Sequence, residues 1–354
     1  LGLQDKNPVS NAEPEQLRSV LVSHAKAQRA EFVLALRRGL MYYAAMFQAS
    51  APGKIILFGE HAVVYGRPAI AAPVTGVQAT ATVTDGRPGS GLVLELPDVG
   101  QRLAVTGDPA GQPLAHLATL ALHALELDPP PAWVVTLRST IPLASGLGSG
   151  AAAATAIVAA LAGAAGVTLA PDQVSALVYE SEKHFHGTPS GVDNTVIAYG
   201  QPVWFVRGQA PQPFALRHPL TLVIADTGIA SPTSIAVGDV RRAWQAEPAR
   251  SEALFDAIGE IVQAARCALE EGDAAELGRL MDRNHQALQA LTVSSVELDR
   301  LCQAARQGGA LGAKLSGGGR GGNMIALVQP EQVEQVTAAL LAAGATRAFA
   351  TQIA

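Results

Sequence analysis

The stretch Ile141-Pro-Leu-Ala-Ser-Gly-Leu-Gly-Ser-Gly-Ala-Ala-Ala-Ala-Thr155 constrains this chain most. Glycines at 146, 148 and 150 let the backbone turn sharply and leave its N–H groups uncovered. The alanines that follow at once favour a helix. A helix N-terminus carries unpaired N–H donors and a partial positive charge, so a junction of this kind can hold a phosphate. By itself the pattern is weak, because glycine followed by alanine is often only a tight strand-to-helix turn. Gly146 to Ala151 matches the loose dinucleotide fingerprint G-x-G-x-x-A, but the nearest downstream acid, Asp172, opens a helix beside Pro171. The fingerprint needs that acid at the end of a strand, so a dehydrogenase reading is poor. The Walker pattern G-x-x-x-x-G-K-[ST] is absent from the chain.

Three further segments can carry chemistry. Residues 317–322 hold five glycines in six positions, more than a turn needs, which suggests that something lies directly against the backbone. Arg320 in their midst adds a positive charge suited to an anion. Glu182 and Asp193 flank the loop His186-Gly-Thr-Pro-Ser-Gly-Val-Asp193. One acid for a phosphate-bound Mg²⁺ and one for proton transfer is a sensible allocation. A solvated helix face for Glu182 and a helix cap for Asp193 fit the spacing equally well. His184 and His186 lack further ligands nearby, so no zinc site is read there. Lys54 follows Pro-Gly at the start of an apolar strand, and Glu60-His61 adds polar groups in an otherwise apolar turn. Buried polar groups need partners, which hints at a site.

The 354 residues are 49% hydrophobic, enough for a large core and more in keeping with two domains than one. A net charge of −5 without long basic runs argues against nucleic-acid or anionic-membrane partners. Cys267 and Cys302 make neither a disulfide framework nor a metal cluster, and the apolar stretches are too short for a membrane span. A soluble protein of the cytoplasm is expected.

Residues 1–46 read as a helical N-terminal extension without chemistry. After them, a strand is expected at 55–58, with extended structure resuming at 63–65. Further strands are expected at 77–83, 92–96, 133–137, 202–206 and 220–225. Helices are expected after the opening loop, from Pro171 to about His184, and over 233–246, 252–271, 274–290 and 296–307. The second glycine loop leads to a strand at 324–328, a helix over 330–343 and a last strand near 347–352. The proline-rich segment 209–219 marks the expected boundary between domains 47–213 and 214–354.

Together, Ala51-Pro-Gly-Lys-Ile-Ile-Leu-Phe-Gly-Glu-His61, the opening loop and Lys314-Leu-Ser-Gly-Gly-Gly-Arg-Gly-Gly322 resemble the three ordered motifs of the GHMP kinase superfamily. Gly59-Glu-His-Ala-Val-Val64, His186-Gly-Thr-Pro-Ser-Gly-Val-Asp-Asn194 and Asn284-His285 resemble its mevalonate kinase branch. The resemblance implies a two-domain α+β fold, with a ribosomal-S5-like N-terminal domain containing a left-handed βαβ unit and a ferredoxin-like C-terminal domain. It implies ATP-dependent phosphorylation of the mevalonate C5 hydroxyl in isoprenoid synthesis, with Mg²⁺ as cofactor and a homodimer as the expected assembly.

Carried over by position, Asp193 is the base and Lys54 stabilises charge on the transferring group. Ala144, Ser145, Gly146, Leu147, Gly148, Ser149 and Gly150, with Gly317, Gly318 and Gly319, hold ATP. Glu60, His61, Ser190 and Thr233 line the acceptor side, and Glu182 and Ser149 are expected at the metal. The family loop usually has a second serine where this chain has Gly150, which puts metal affinity in question. Arg320 replaces a small residue. The rival readings are another kinase of the superfamily, a related decarboxylase, and a non-catalytic sensor. A substrate panel, release of CO₂, and the presence of Lys54 with Asp193 discriminate among them.

Overall fold

The computed structural model describes residues 46–105, 111–142, 146–186, 189–230 and 233–354. The helix expected within 1–46, and Ala144 and Ser145, lie outside the described residues. In chain order the elements begin with β1 (Phe47–Phe58), β2 (Ala69–Asp85), β3 (Leu92–Leu96), β4 (Gln101–Val105), α1 (Pro113–Ala124) and β5 (Trp133–Ser139). Next come α2 (Ser149–Ala164), α3 (Pro171–His186), α4 (Val192–Tyr199), β6 (Val203–Phe205), β7 (Gln212–Pro213) and β8 (Leu220–Asp226). The chain closes with α5 (Thr233–Ala246), α6 (Pro248–Glu271), α7 (Ala274–Ala290), α8 (Val296–Gln307), β9 (Gly312–Leu315), β10 (Asn323–Val328), α9 (Val333–Ala342) and β11 (Arg347–Ile353). Among the described residues no helix is long and apolar enough to cross a membrane.

Among the described residues two compact units interleave along the chain, one of residues 46–51, 78–105, 111–140, 150–186 and 189–198, the other of 52–77, 141–142, 146–149, 199–230 and 233–354. The boundary expected at 213 falls inside the second. In the first unit, residues 79–85 of β2 pair antiparallel with β5, β3 runs parallel to β5, and β4 pairs antiparallel with β3. This end of β2 alternates buried Ala79, Ala81 and Val83 with more exposed threonines, the half-buried pattern its sequence predicts. Helix α2 is apolar on every side and is accordingly buried almost all round. Full burial of side chains such as Ile157 and Leu161 contributes about 1.5–3 kcal/mol each. Gly163 of this helix leaves room for the Phe47 ring, whose nearest carbon would lie 1.9 Å from an added Cβ.

In the second unit, four antiparallel strands stand in the order β11-β8-β10-β9, and α7, α8 and α9 pack on them. Strand β8 is central and buried from Leu222 to Ala225, which explains its continuous apolar run. The register Met324↔Leu315 makes β9 and β10 a hairpin whose connection is the second glycine loop.

Three local expectations need correction. Val63-Val64-Tyr65 is not extended but lies in a 3₁₀ turn over Ala62–Tyr65, because left-handed Gly66 closes it by donating to the Val63 carbonyl. Helix α4 entered the sequence reading only through the alternative in which Asp193 caps a helix; it starts one residue earlier, at Val192, and Thr195 Oγ1 donates to the Gly191 carbonyl at 2.6 Å and secures its first turn. Strand β4 was also missed, since its exposed Gln101 and Arg102 obscure any apolar alternation.

Candidate functional site

In the second unit, β1 carries Lys54, which is 4% exposed. Its backbone N–H donates to the Leu147 carbonyl at 2.9 Å and so pins the opening loop to the strand. Glycine precedes it for lack of space: a Cβ on Gly53 would stand 3.1 Å from Val77 Cγ2 and 3.3 Å from the Leu147 oxygen. Among the described residues Gly146, at φ 82°, has nothing within 4 Å of an added Cβ, and Gly317 has only the Gly146 oxygen at 3.9 Å. These two glycines border open space. Helix α2 starts at Ser149 with no acidic side chain in its first turn, so its N–H groups suit an anion.

Strand β1 ends in the turn Gly59-Glu60-His61. A Cβ on Gly59 would lie 2.5 Å from the Pro68 oxygen, so only glycine fits. His61 is left-handed at φ 61°, a conformation that side chains other than glycine adopt at a cost. Its Nε2–H donates to the Gly318 carbonyl at 2.9 Å. Burial is the main cause that lowers the imidazole pKa to about 4; the Gly318 bond opposes it and the charge of Arg320 adds to it. His61 is therefore a neutral donor near neutral pH.

Glu60 is 1% exposed and accepts from Lys314 Nζ, itself wholly buried on β9. Burial pushes the carboxyl up and the ammonium down, while the attraction between them opposes both shifts. The charge of Lys54 also reaches Glu60 and favours its carboxylate.

The second glycine loop is close-packed by protein. An added Cβ would lie 3.0 Å from Thr233 Oγ1 at Gly318, 1.9 Å from the Val293 oxygen at Gly319 and 2.4 Å from the Ile229 oxygen at Gly321. Three of its five glycines thus serve the loop's own packing, whereas Gly317 borders open space. Ser316 exchanges hydrogen bonds with the Ile56 backbone at 3.0 and 3.1 Å, fastening the base of the loop to β1. Arg320, at φ 59°, donates its N–H to the Val293 carbonyl at 2.8 Å and its guanidinium to Asp239. Its charge goes to α5 rather than being held for an anion.

In the first unit, Glu182 is 4% exposed on α3, and its Oε1 would lie 3.5 Å from a Cβ added at Gly150. A side chain at 150 would therefore stand beside this carboxylate. Asp193 lies within the first turn of α4, not at its cap. The helix is anchored beside it by Asn194, whose Nδ2 donates to the Ser175 carbonyl at 3.1 Å and to its Oγ at 2.9 Å. Ser190 Oγ accepts from the Val192 N–H at 3.3 Å and precedes the helix. Asn194 thus fixes the backbone that carries Asp193.

The second unit brings together His61, Thr233, Gly317–Gly319 and the Gly146–Leu147 loop beside Lys54. The first brings together Gly150 and Glu182 and seats Asp193 and Ser190 at the start of α4. Lys314 escaped the sequence reading as a participant, although a lysine in the short apolar strand leading into the glycine loop was the available signal. Asp239 carried no such signal, since its partner lies far along the chain.

The profile of the GHMP kinases N terminal domain matches residues 115–201, and that of the GHMP kinases C terminal domain matches 265–346. A mevalonate kinase of Pyrococcus horikoshii is 35% identical over 316 residues, covering 84% of this chain and 92% of the relative. One of Aeropyrum pernix is 36% identical over 300 residues, covering 81% and 90%. The crystal structure of L. major mevalonate kinase in complex with R-mevalonate superimposes with a TM-score of 0.76 at 32% identity, covering 88% of this chain and 98% of that one.

Proposed function

The chain belongs to the mevalonate kinase family of the GHMP kinases, and on that footing we propose that it transfers the γ-phosphoryl group of ATP to the C5 hydroxyl of mevalonate. The observation that carries this reading is the identity of about a third along most of the chain to relatives of that name, one of them crystallised with R-mevalonate.

Phosphoryl transfer asks a protein for positioning, charge neutralisation and a placed base more than for covalent chemistry. Asp193 accepts the C5 hydroxyl proton as the oxygen bonds to the γ-phosphorus and the bond to ADP breaks. Lys54 supplies positive charge to the transferring group. The open backbone at Gly146 and Gly317 and the N-terminus of α2 suit the phosphates, with Leu147, Gly148, Ser149, Gly150, Gly318 and Gly319 completing the nucleotide loops. His61, Glu60, Ser190 and Thr233 belong to the acceptor side.

The donor set fits Mg²⁺. Among the described residues no group of three or more His, Cys, Asp or Glu could hold a metal alone. An ion that takes one carboxylate and completes its shell with phosphate oxygens needs only Glu182, whose Oε1 lies 3.5 Å from a Cβ added at Gly150, the residue after Ser149. When bound, Mg²⁺ neutralises phosphate charge.

The test is the purified chain with mevalonate, ATP and MgCl₂, read by ADP formation and by phosphorus NMR of the product. A new phosphomonoester signal is expected without release of CO₂. ADP formation with a different alcohol or sugar but not with mevalonate would sink the reading.

A further inference from the structure

The turn Gly59-Glu60-His61 is held at three points, all within the second unit. Gly59 N–H donates to Asn284 Oδ1 at 3.4 Å, Glu60 Oε1 accepts from Lys314, and His61 Nε2 donates to the Gly318 carbonyl at 2.9 Å. Two of the three points lie on one hairpin: Lys314 is on β9 and Gly318 is in the loop that β9 feeds. The third, Asn284, precedes His285, whose ring accepts from the Leu315 N–H at 3.3 Å and reaches Asp299 at 3.0 Å. The scaffold behind the turn is therefore itself tied together.

Lys314 has no solvent exposure, and among the described residues its ammonium donates only to Glu60 and to the Leu315 carbonyl. A buried ion pair of this kind seldom stabilises more than apolar side chains of the same volume would. Its use is better sought in placement. The residue it places is adjacent to His61, which must be kept left-handed for its ring to meet Gly318. Among the described residues Glu60 Oε2 and Asn284 Nδ2 are buried without hydrogen-bond partners, so Lys314 is the side chain that hydrogen-bonds the Glu60 carboxylate, while Lys54 reaches it through charge.

We propose that Lys314 is a positioning residue: through Glu60 it holds the strained turn that aims His61 at the glycine loop, and so shapes the acceptor side of the site. Glu60 accordingly acts through Lys314 and the backbone rather than as an independent contact to the acceptor. This rests on the reading of His61 as an acceptor-side residue.

The experiment uses the full chain as wild type, Lys314→Met, Glu60→Gln and the double variant. The double variant strands no charge and keeps volume, so it serves if Lys314→Met alone fails to fold. Two quantities are read: KM for mevalonate against KM for ATP, and the His61 titration by NMR. In the folded variants lacking Lys314, KM for mevalonate is expected to rise about tenfold while KM for ATP stays within about twofold. The His61 titration should move up from about 4 toward its ordinary value of 6.5. The double variant should be no worse than the poorer single one.

A His61 titration unchanged from wild type in a folded variant overturns the proposal. So do fold-changes that multiply in the double variant, since Glu60 would then act independently of Lys314. If the wild type does not phosphorylate mevalonate, the acceptor assignment falls, and the His61 titration still decides whether Lys314 positions the turn.

Discussion

Asp193, Gly150 and His61 show how far single side chains decide behaviour here. Asp193→Ala removes the base but leaves Asn194 and Thr195 to hold α4, so nucleotide binding should persist. Turnover is expected to fall at least about 100-fold, with ATP affinity by calorimetry changed only a few-fold; turnover within a factor of three of wild type would refute the assignment. At position 150 a serine Cβ would make ordinary contact with Glu182 Oε1 at 3.5 Å. Gly150→Ser should therefore lower the Mg²⁺ concentration giving half-maximal rate, and an unchanged Mg²⁺ titration would place residue 150 outside the metal shell. His61 makes stability depend on pH. Its folded pKa, about 4, lies below the ordinary 6.5 of the unfolded chain, so the unfolded state binds the extra proton between those values. Its contribution is present above pH 6.5 and is lost as pH falls toward 4, about 3 kcal/mol in all. His285 is shifted in the same direction by burial. Thermal midpoints of wild type and His61→Asn, measured from pH 7 to pH 4, should show a shallower decline in the variant.

The second glycine loop illustrates what an element adds to its residues. From composition its glycines form one class, suited to a ligand against the backbone. In the fold they divide. Gly319 is filled against the Val293 oxygen and Gly317 is open. Gly319→Ala should cost several kcal/mol, seen as a lowered urea midpoint, because the added Cβ meets backbone and φ is 79°. Gly146→Ala also takes a left-handed residue, at a cost of about 1–2 kcal/mol, but into open space. Its main effect should be a raised KM for ATP. Equal stability losses with no change in ATP KM would remove Gly146 from the nucleotide site. Sequence could not separate these glycines, because what distinguishes them is the approach of Thr233, Val293 and Ile229 from other segments. Arg320 was misjudged for the same reason: its anion is Asp239, on α5.

Across the whole molecule the two compact units draw on interleaved stretches of chain, and β2 contributes to both. A boundary read from local composition follows prolines, whereas compactness follows pairing between distant segments. Helices α6, α7 and α8 were legible because each is amphipathic and well bounded: Asp273 caps α7, Ser295 caps α8, and Gly272 ends α6. The extension at 1–46 is expected to take no part in catalysis. A chain beginning at Met46 should keep kcat and both KM values within about twofold, and a larger loss would give that segment a role in the site.

The opening loop at 141–155 announced an anion site through local chemistry alone: glycines that bare the backbone and alanines that start a helix. The order of the three motifs with Lys54, Glu182 and Asp193 then narrowed the family, because identity and spacing along the chain are sequence properties. Which polar groups are already committed was decided by tertiary structure. Glu60 is taken by Lys314 across 254 positions and His61 by Gly318 across 257. Such pairings exist only once burial has removed water as the competing partner, and no local pattern records them.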